Sequence, residues 1–578
     1  MQAPTPHNPV PESRWQAVIA REKLRLSNGR APVLMALLGA LSGLVAGGIV
    51  IAFRLLYETA QTGLLPGGGE AFESLAPWQR LALAVAGATL IGLYLQRMGA
   101  AARHTGIAYV IERTAYHQAL LPVRNAVHQF VAGALAIISG QSVGREGPSV
   151  HLGATAGSQL GQRLGLPHNS LRVLVACGTA AAIGASFNTP LAGVAFAMEV
   201  VVMEYTIAGF LPVIIAAVVA TATAHMVVGA DIAFTIPALS IQGLHELPLV
   251  LVLGLVAGGL AAAFIRSLRL ANGLLPGWSI TARAALGGAV VGTIALAVPQ
   301  VMGIGYDTVA AALGGQIEPG MLILIIAAKL VATAAVLGLG IPGGLIGPTL
   351  VMGTAAGAAL GLLFAALVPV AIGSPALYAL LGMGAMMGAT LRAPLAALTA
   401  MLELTANPGI ILPGMLAIAA GMLAARELFR TDSIYHLSLG ERGLDPRRNP
   451  LLQAASRLGI LDLVDRRFAV LSATAGAAEV AATLDAEPHW LIVEGVAGNG
   501  PRLASAEALA GRPASVTAVR ALSRPLACID ERASLREALE RMRDGGDDAL
   551  AVQARTPSGQ PRWRGILTRT AIQRAYLA

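Results

Sequence analysis

The sequence predicts an all-α polytopic membrane protein with an internal repeat and broken helices, followed by a C-terminal α/β domain. The first observation is composition: of 578 residues, 55% are hydrophobic and 12% are charged, with a mean hydropathy of +0.67, far from the average of soluble globular proteins. The second is a pair of Gly-Pro motifs that recur at a fixed offset. The third is the loss of long apolar runs after about residue 440.

Several apolar runs are suited to crossing a bilayer, which takes about 20 residues. They are Val33–Phe53, Leu81–Leu95, Phe210–Val228, Leu249–Ala263, Ala284–Val298, Met321–Leu337 and Thr349–Val368. Other runs, such as Ala126–Gly140 and Ala376–Met387, are short or interrupted by glycine. The 67 glycines favour close helix packing and helices that stop partway across the membrane.

The net charge of +8 comes from basic residues beside apolar segments, so it indicates membrane orientation and not a nucleic-acid partner. Basic residues flank the first and last spans, which places both termini in the cytoplasm and the chain in the cell (inner) membrane. They are Arg14, Arg21, Lys23, Arg25 and Arg30 before, and Arg426, Arg430, Arg442, Arg447 and Arg448 after. We expect residues 1–30 to form a cytoplasmic segment and not a signal peptide. Cys177 and Cys528 predict neither a disulfide nor a metal site.

An internal repeat organises the membrane domain, which we predict over residues 31–440. The Gly-Pro and spaced small residues of 147–161 recur at 347–361, 200 positions later (347 − 147). A second match relates residues 184–199 to 388–403, 204 positions later (388 − 184). We expect two repeated halves, about 31–229 and 247–440. Transporters built from such repeats bind their substrate where broken helices of the two halves meet.

A carboxylate lies at the first repeated motif, in Gly144-Arg145-Glu146-Gly147-Pro148. A charge inside an apolar segment persists mainly where it faces a cavity and handles ions or protons. Pro148 suits the first turn of a helix, and backbone N–H groups at a helix start attract anions. We therefore interpret Glu146 as competing with a small anion for these donors, and so gating a pathway.

The C-terminal region has the pattern of a soluble α/β domain. After a linker over residues 441–465, two βαβ units fill residues 466–578. The first combines strands at Phe468–Leu471 and Trp490–Val493 with a helix at Thr474–Leu484, and the second combines a strand at Ile529-Asp530, a helix at Ser534–Arg543 and strands at Ala549–Val552 and Gly565–Thr568. The two units resemble a tandem pair of CBS modules.

With these motifs in hand, the chain resembles the CLC family of chloride channels and chloride/proton antiporters. The resemblance rests on the motif around Glu146, on Gly340–Pro348 (GIPGGLIGP) and on Phe187–Gly193 (FNTPLAG). It implies the CLC fold, in which the internal repeat is inverted, and a homodimer in the lipid bilayer with one anion pathway per subunit. It also implies chloride as the bound ion and no required cofactor.

The resemblance also implies roles for individual residues. Glu146 would be the gating glutamate, the N–H groups around Arg145, Gly147, Leu345 and Ile346 would coordinate the anion, and the Tyr435 hydroxyl would donate a hydrogen bond to it. Thr105, 41 residues before Glu146 (146 − 105), stands in HTGIA where the family has GSGIP, and it keeps a hydroxyl for the anion. The later helix start reads GLIGP instead of GxFxP, and the lost aromatic wall would widen the pore.

One departure bears on mechanism. Antiporters of the family usually carry a proton-delivering glutamate directly after the position of Glu199, and this chain has Val200 there. This favours a voltage- or pH-gated chloride channel, with proton-coupled antiport as the alternative. Glu204, one helical turn further on, is either a substitute proton route or a solvated carboxylate at the interface. Lys329, within an expected span, is interpreted as paired or snorkelling.

Other classes of function fit less well. An enzyme would need converging catalytic groups, and the metalloprotease motif HExxH is not present, so we predict no catalytic residues. A pure receptor would not explain a carboxylate at a duplicated helix start. In the CBS-like domain, Thr568 is followed three residues later by Ala571 where nucleotide-binding pairs carry aspartate. A bound nucleotide therefore stays an open alternative to a platform that stabilises a dimer.

Overall fold

The computed structural model describes residues 22, 25, 26, 31–204, 207–230, 234, 239–444, 455–494, 500–509, 515–555 and 561–577. Most of the predicted N-terminal segment 1–30, and residues 445–454 of the predicted linker, lie outside these residues. The chain divides into two compact units. The larger comprises Val33–Arg163 and Leu171–Pro446, and the smaller comprises Met1–Pro32, Leu164–Ser170 and Arg447–Ala578.

The membrane part is built of helices, as predicted. In chain order they are α1 (Pro32–Leu64), α2 (Pro77–Gln96), α3 (Gly106–Tyr116), α4 (Val123–Ile138), α5 (Glu146–Arg163), α6 (His168–Phe187), α7 (Pro190–Phe196), α8 (Ile207–Val228), α9 (Leu247–Gly273), α10 (Ile280–Ile294), α11 (Tyr306–Leu313), α12 (Pro319–Gly338), α13 (Ile346–Leu367), α14 (Pro375–Leu391), α15 (Pro394–Thr405), α16 (Ile411–Leu423) and α17 (Ile434–Gly440). A wide turn, Ala197–Val202, continues α7.

Among the described residues, eight helices are long and apolar enough to cross a membrane. Two of them, His168–Phe187 and Pro408–Leu428, are absent from the spans expected from sequence, and the expected span Ala284–Val298 is the shorter helix α10. The hydropathy of the sequence did not identify helix α6 as a span, because polar residues such as Thr179 and Ser186 lower the mean hydropathy of this segment. These residues are tolerated because the helix is almost wholly buried within the protein.

The predicted repeat is seen in the packing of helices, because an equivalent pair of helices makes the same close contact in each half. A Cβ atom on Gly153 of α5 would lie 2.3 Å from the carbonyl oxygen of Gly178 in α6. In the second half, a Cβ on Gly353 of α13 would lie 2.5 Å from the carbonyl oxygen of Gly382 in α14. Only glycine allows such backbone contact, so the spaced glycines of the two motifs bring equivalent helix pairs together.

The smaller unit contains two sheets whose order agrees with the predicted βαβ units. Strands β1 (Phe468–Leu471), β2 (Trp490–Val493), β3 (Arg502–Ser505) and β4 (Arg524–Pro525) form one sheet, and β5 (Ala527–Asp530), β6 (Ala549–Arg555) and β7 (Pro561–Thr568) form the other. The helices are α18 (Ala477–Leu484), α19 (Val516–Leu522), α20 (Leu535–Gly545) and α21 (Arg569–Leu577).

The first three strands pair in the same way in both sheets. β1 pairs parallel with β2, and β2 pairs antiparallel with β3; likewise β5 pairs parallel with β6, and β6 antiparallel with β7. A helix connects each parallel pair, which is the crossover that parallel strands require. Helix α20 starts in a capping box between Ser534 and Glu537. This duplicated mixed α/β arrangement fits a CBS-like domain.

Candidate anion site between two helix starts

Two glycines join the two halves of the repeat. The N–H of Gly144 donates to the carbonyl of Gly344 and the N–H of Gly344 donates to the carbonyl of Gly144, both at 2.8 Å. Helix α5 starts two residues after the first glycine, and α13 starts two residues after the second. The first N–H groups of a helix have no partner within it, so this bridge brings two sets of such donors, and two positive helix ends, to one place.

Glu146 lies at this junction and is completely buried. Its Oε1 accepts a hydrogen bond from the N–H of Ile346 at the start of α13, while Oε2 is buried with no hydrogen-bond partner among the described residues. The carboxylate of one half therefore binds the helix start of the other half. A negative group is stabilised at such a position by the N–H donors and the helix dipole.

The glycines of the bridge leave room for this carboxylate. A Cβ on Gly144 would lie 2.2 Å from Glu146 Oε2, and a Cβ on Gly344 would lie 2.1 Å from Oε1. Neither glycine has a positive φ, so size and not backbone conformation requires glycine here. On Gly147, a Cβ would lie 2.7 Å from the carbonyl oxygen of Gly343, which keeps the two segments in close contact.

Tyr435 supplies a buried hydroxyl in the first turn of α17. The residue is 5% exposed, and its hydroxyl has no hydrogen-bond partner among the described residues. The charge of Glu146 lies near enough to act on this hydroxyl. A buried polar group left without a partner costs about 1–3 kcal/mol. A bound anion would accept from this hydroxyl and remove that cost.

Thr105 precedes α3 as its N-cap residue. It is half-buried, and its hydroxyl caps no backbone N–H of the helix. The described contacts do not join Thr105 to Glu146 or Tyr435. Its role as an anion ligand, like that of the backbone donors at Gly147, Leu345 and Ile346, stays a prediction.

The side chain of Arg145 packs among aromatic rings. Its guanidinium carbon lies 4.6 Å from the ring centroid of Phe187 and 5.1 Å from that of Tyr306. Nη1 donates to the hydroxyl of Tyr57 at 2.9 Å, and Glu58 lies 4.0 Å away. These cation–π contacts fix the side chain beside the gate. Only the backbone of Arg145 is therefore placed to serve the predicted anion site.

Glu199 and Glu403 each cap the start of a helix. In the sequence they had served only as markers of the repeat. Glu199 accepts from the N–H groups of Leu395 (3.0 Å) and Ala396 (2.8 Å) at the start of α15. Glu403 accepts from Leu191 and Ala192 at the start of α7. The signal was available in the sequence, because each glutamate occupies the same place in its half and each helix starts with a Pro-Leu-Ala motif.

The predicted proton route has a different environment from the one expected. Val200 is buried, and Glu204 lies 3.6 Å from the guanidinium of Arg172 with its side chain 9% exposed. Arg172 also donates to the carbonyl of Thr114. Glu204 is therefore a paired and largely buried carboxylate, not a solvated one.

Lys329, fully buried, donates to the carbonyls of Val301 (3.1 Å) and Gly303 (3.0 Å).

Comparisons with known proteins give one consistent likeness. The sequence profile of the family described as voltage gated chloride channel matches residues 87–426. A putative chloride channel protein ClcB-like of Ralstonia nicotianae is 33% identical over 423 residues, which are 71% of this chain and 98% of the relative. The H(+)/Cl(-) exchange transporter ClcA of Vibrio cholerae is 30% identical over 417 residues, covering 70% of this chain and 87% of the relative.

The likeness extends to solved structures. The crystal structure of a eukaryotic CLC transporter superposes with a TM-score of 0.60 at 18% identity, covering 96% of this chain and 98% of that one. At this level of identity the match concerns the fold alone.

Proposed function

Since this chain belongs to the voltage-gated chloride channel family, the CLC proteins, we propose that it carries chloride or another small anion across the membrane along a pathway gated by Glu146. One observation carries the proposal: the buried carboxylate of Glu146 accepts a hydrogen bond from the N–H of Ile346, at the junction of two helix starts. A place that stabilises a carboxylate inside an apolar domain also suits a small anion. The anion and Glu146 then compete for the same donors.

The gate works through the charge of Glu146. Ionised, the carboxylate holds the N–H donors of α13 and excludes the anion. Protonation removes the charge that these donors stabilise, and so frees them for the anion. The hydroxyls of Tyr435 and Thr105 then act as further ligands. Acid should therefore open the pathway, and voltage should act on it because the gate charge and the permeating ion both lie within the membrane field.

We further propose that conduction is passive. A proton that reaches Glu146 from the other side needs a titratable group along the way, and Val200 supplies none. Glu204 lies 3.6 Å from the guanidinium of Arg172, so it would have to leave this ion pair before it could pass a proton toward Glu146. A channel-like, voltage- and pH-gated conductance follows from this arrangement.

The alternative is proton-coupled antiport. It is supported by the protonatable gate itself and by the relative from Vibrio cholerae that is named an exchange transporter. In that case Glu204 would leave Arg172 during each cycle to pass a proton inward. The two functions differ in one observable, the uphill movement of protons driven by a chloride gradient.

The oligomeric state, membrane location and lack of a cofactor are proposed to be those of the family. We expect a homodimer in the inner membrane with both termini in the cytoplasm, no enzymatic activity and no required cofactor. The CBS-like domain is proposed as a platform that stabilises the dimer, with nucleotide binding as its alternative.

Flux from liposomes tests the proposal. Purified protein is reconstituted with and without Glu146→Gln, and chloride efflux and proton movement are recorded together. Glu318→Gln serves as the control, because Glu318 is an exposed carboxylate at the start of α12 that makes no capping hydrogen bond. We expect chloride efflux without uphill proton movement, and altered efflux only for Glu146→Gln. Uphill proton movement abolished by Glu146→Gln would establish the antiporter, and flux indifferent to this substitution would overturn the gate.

A further inference from the structure

A second, half-buried carboxylate lies close to the gate but outside the repeated motifs. Glu70 is in the loop between α1 and α2, and its Oε2 accepts hydrogen bonds from the N–H groups of Gly305 (3.1 Å) and Tyr306 (3.3 Å). These N–H groups begin α11, where Gly305 has a φ of +89°. Glu70 therefore holds the start of a helix that is distant from it in sequence.

That helix start supports the residue next to the gate. The rings of Tyr306 and Phe187 both contact the guanidinium of Arg145, and Arg145 immediately precedes Glu146. An unbroken set of contacts thus runs from the Glu70 carboxylate through Tyr306 and Arg145 to Glu146. Glu70 and Arg145 also attract each other electrostatically.

Several charged and titratable groups face Glu70. Asp307 follows Tyr306 in α11. The amine of Lys329 in α12 lies near the start of α11, 3.3 Å from the position that a Cβ on Gly305 would take. From α1 come Tyr57 and, beside Arg145, Glu58. Burial, and then the charge of Asp307, raise the pKa of Glu70 above its usual range, while Arg145 and the two N–H donors oppose this. Glu70 therefore takes up a proton more readily than an exposed glutamate does.

We propose that Glu70 is a positioning residue for the gate: its carboxylate fixes Tyr306, and through it Arg145, and partly neutralises the Arg145 charge that favours an ionised Glu146. The inference rests on the proposed gate. Without the Glu70 charge, Arg145 acts more strongly on Glu146, so more acid is needed to open the pathway. The pH at half-maximal flux should move down by about one pH unit.

The test is a cycle of variants measured as chloride efflux between about pH 4 and pH 8. Glu70→Gln keeps an oxygen that can accept from Gly305 and Tyr306 but loses the charge, and Glu73→Gln removes an exposed carboxylate from the same loop. Each is made in the natural chain and in Glu146→Gln. We expect Glu70→Gln to shift the pH profile only when Glu146 is present, and Glu73→Gln to shift nothing.

The outcomes separate the two proposals. An equal change in both backgrounds would mean that Glu70 acts on the pathway independently of Glu146, and no change in either would mean that it only packs; each overturns this inference alone. Flux indifferent to Glu146→Gln would overturn the gate itself and the role of Glu70 with it. Should Glu70→Gln fail to elute as folded protein, Tyr306→Leu removes the intervening ring. An unshifted pH profile in that variant would overturn the inference.

Discussion

Glu199 and Glu403 each cap the helix that begins in the other half of the repeat. Each carboxylate accepts two hydrogen bonds of 2.8 to 3.0 Å from consecutive N–H groups, Glu199 at α15 and Glu403 at α7. Together with the reciprocal bridge between Gly144 and Gly344, they form a reciprocal set of hydrogen bonds between the halves. Each half completes the helix starts of the other, so neither presents a satisfied surface alone.

Replacing either capping glutamate should destabilise the protein without closing the pathway. A hydrogen bond to a charged group contributes about 1.5–3 kcal/mol, and a helix start favours negative charge. We therefore expect Glu403→Gln to lower the temperature of unfolding in detergent while specific chloride flux per folded protein is retained. Glu427→Gln is the control, since Glu427 is exposed and pairs with its exposed neighbour Arg426. An unchanged unfolding temperature for Glu403→Gln would contradict the capping role.

Adding a methyl group at the bridge should displace the gate. Gly144→Ala would place a Cβ 2.2 Å from Glu146 Oε2, and its backbone conformation tolerates alanine. The carboxylate must leave the N–H of Ile346, so we expect chloride flux at neutral pH to rise toward that of Glu146→Gln and to lose most of its pH dependence. Efflux from liposomes at several pH values measures both effects.

The control for this substitution is Gly48→Ala. Gly48 lies in α1, and a Cβ there would meet no atom within 4 Å, so flux and pH dependence should stay natural. If Gly144→Ala behaves like Gly48→Ala, the carboxylate has another position that closes the pathway equally well, and the competition for one set of donors is wrong.

The repeat made most of the membrane architecture predictable. Spaced glycines at 147–161 and 347–361 indicated equivalent helix pairs, and these pairs form by direct backbone contact. Helix α6 was missed because its polar residues face protein instead of lipid, which a hydropathy window cannot distinguish. The strands and helices of the smaller unit agree with their predicted positions because alternating apolar residues and a capping box at Ser534 mark them locally.

The site was predictable only in part. The motif around Glu146 pointed to a helix start, and the structure brings that carboxylate to Ile346 of the other half. The partners of Glu204 and Arg145 were not predictable, because Arg172, Phe187 and Tyr306 meet them only through long-range packing. Glu70 carries no motif at all, and its position depends on a loop that folds onto α11.

The smaller unit should lose stability in acid through Asp530. Burial opposes ionisation of this carboxylate, but hydrogen bonds and the charge of Arg532 outweigh it and hold the pKa of Asp530 below its usual range. Because the pKa of Asp530 is lower in the folded state, the ionised carboxylate stabilises the fold at pH values above the unfolded-state pKa of about 3.9. This stabilisation is lost as the pH falls through the folded-state pKa.

Hydrogen exchange of β5 and β6 in the full-length protein, corrected for the intrinsic exchange rate, measures this effect. We expect Asp530→Asn to speed exchange at pH 7 and to speed it less near pH 3, where part of the stabilisation of the natural chain is already lost. Asp544→Asn, at an exposed pair with Arg543, should change neither. Equal acceleration by Asp530→Asn at both pH values would show that packing and not charge is responsible.

The hydroxyl of Tyr435 should matter for the anion and not for folding. Because it is buried without a partner among the described residues, Tyr435→Phe removes an unsatisfied group, and the unfolding temperature should stay level or rise. Loss of one hydrogen bond to chloride should weaken binding by about tenfold, as measured by calorimetry. Tyr378→Phe is the matched control: its hydroxyl donates to Glu246 at 2.6 Å, so this substitution should lower stability and leave chloride affinity unchanged. Unaltered chloride affinity in Tyr435→Phe would remove Tyr435 from the pathway.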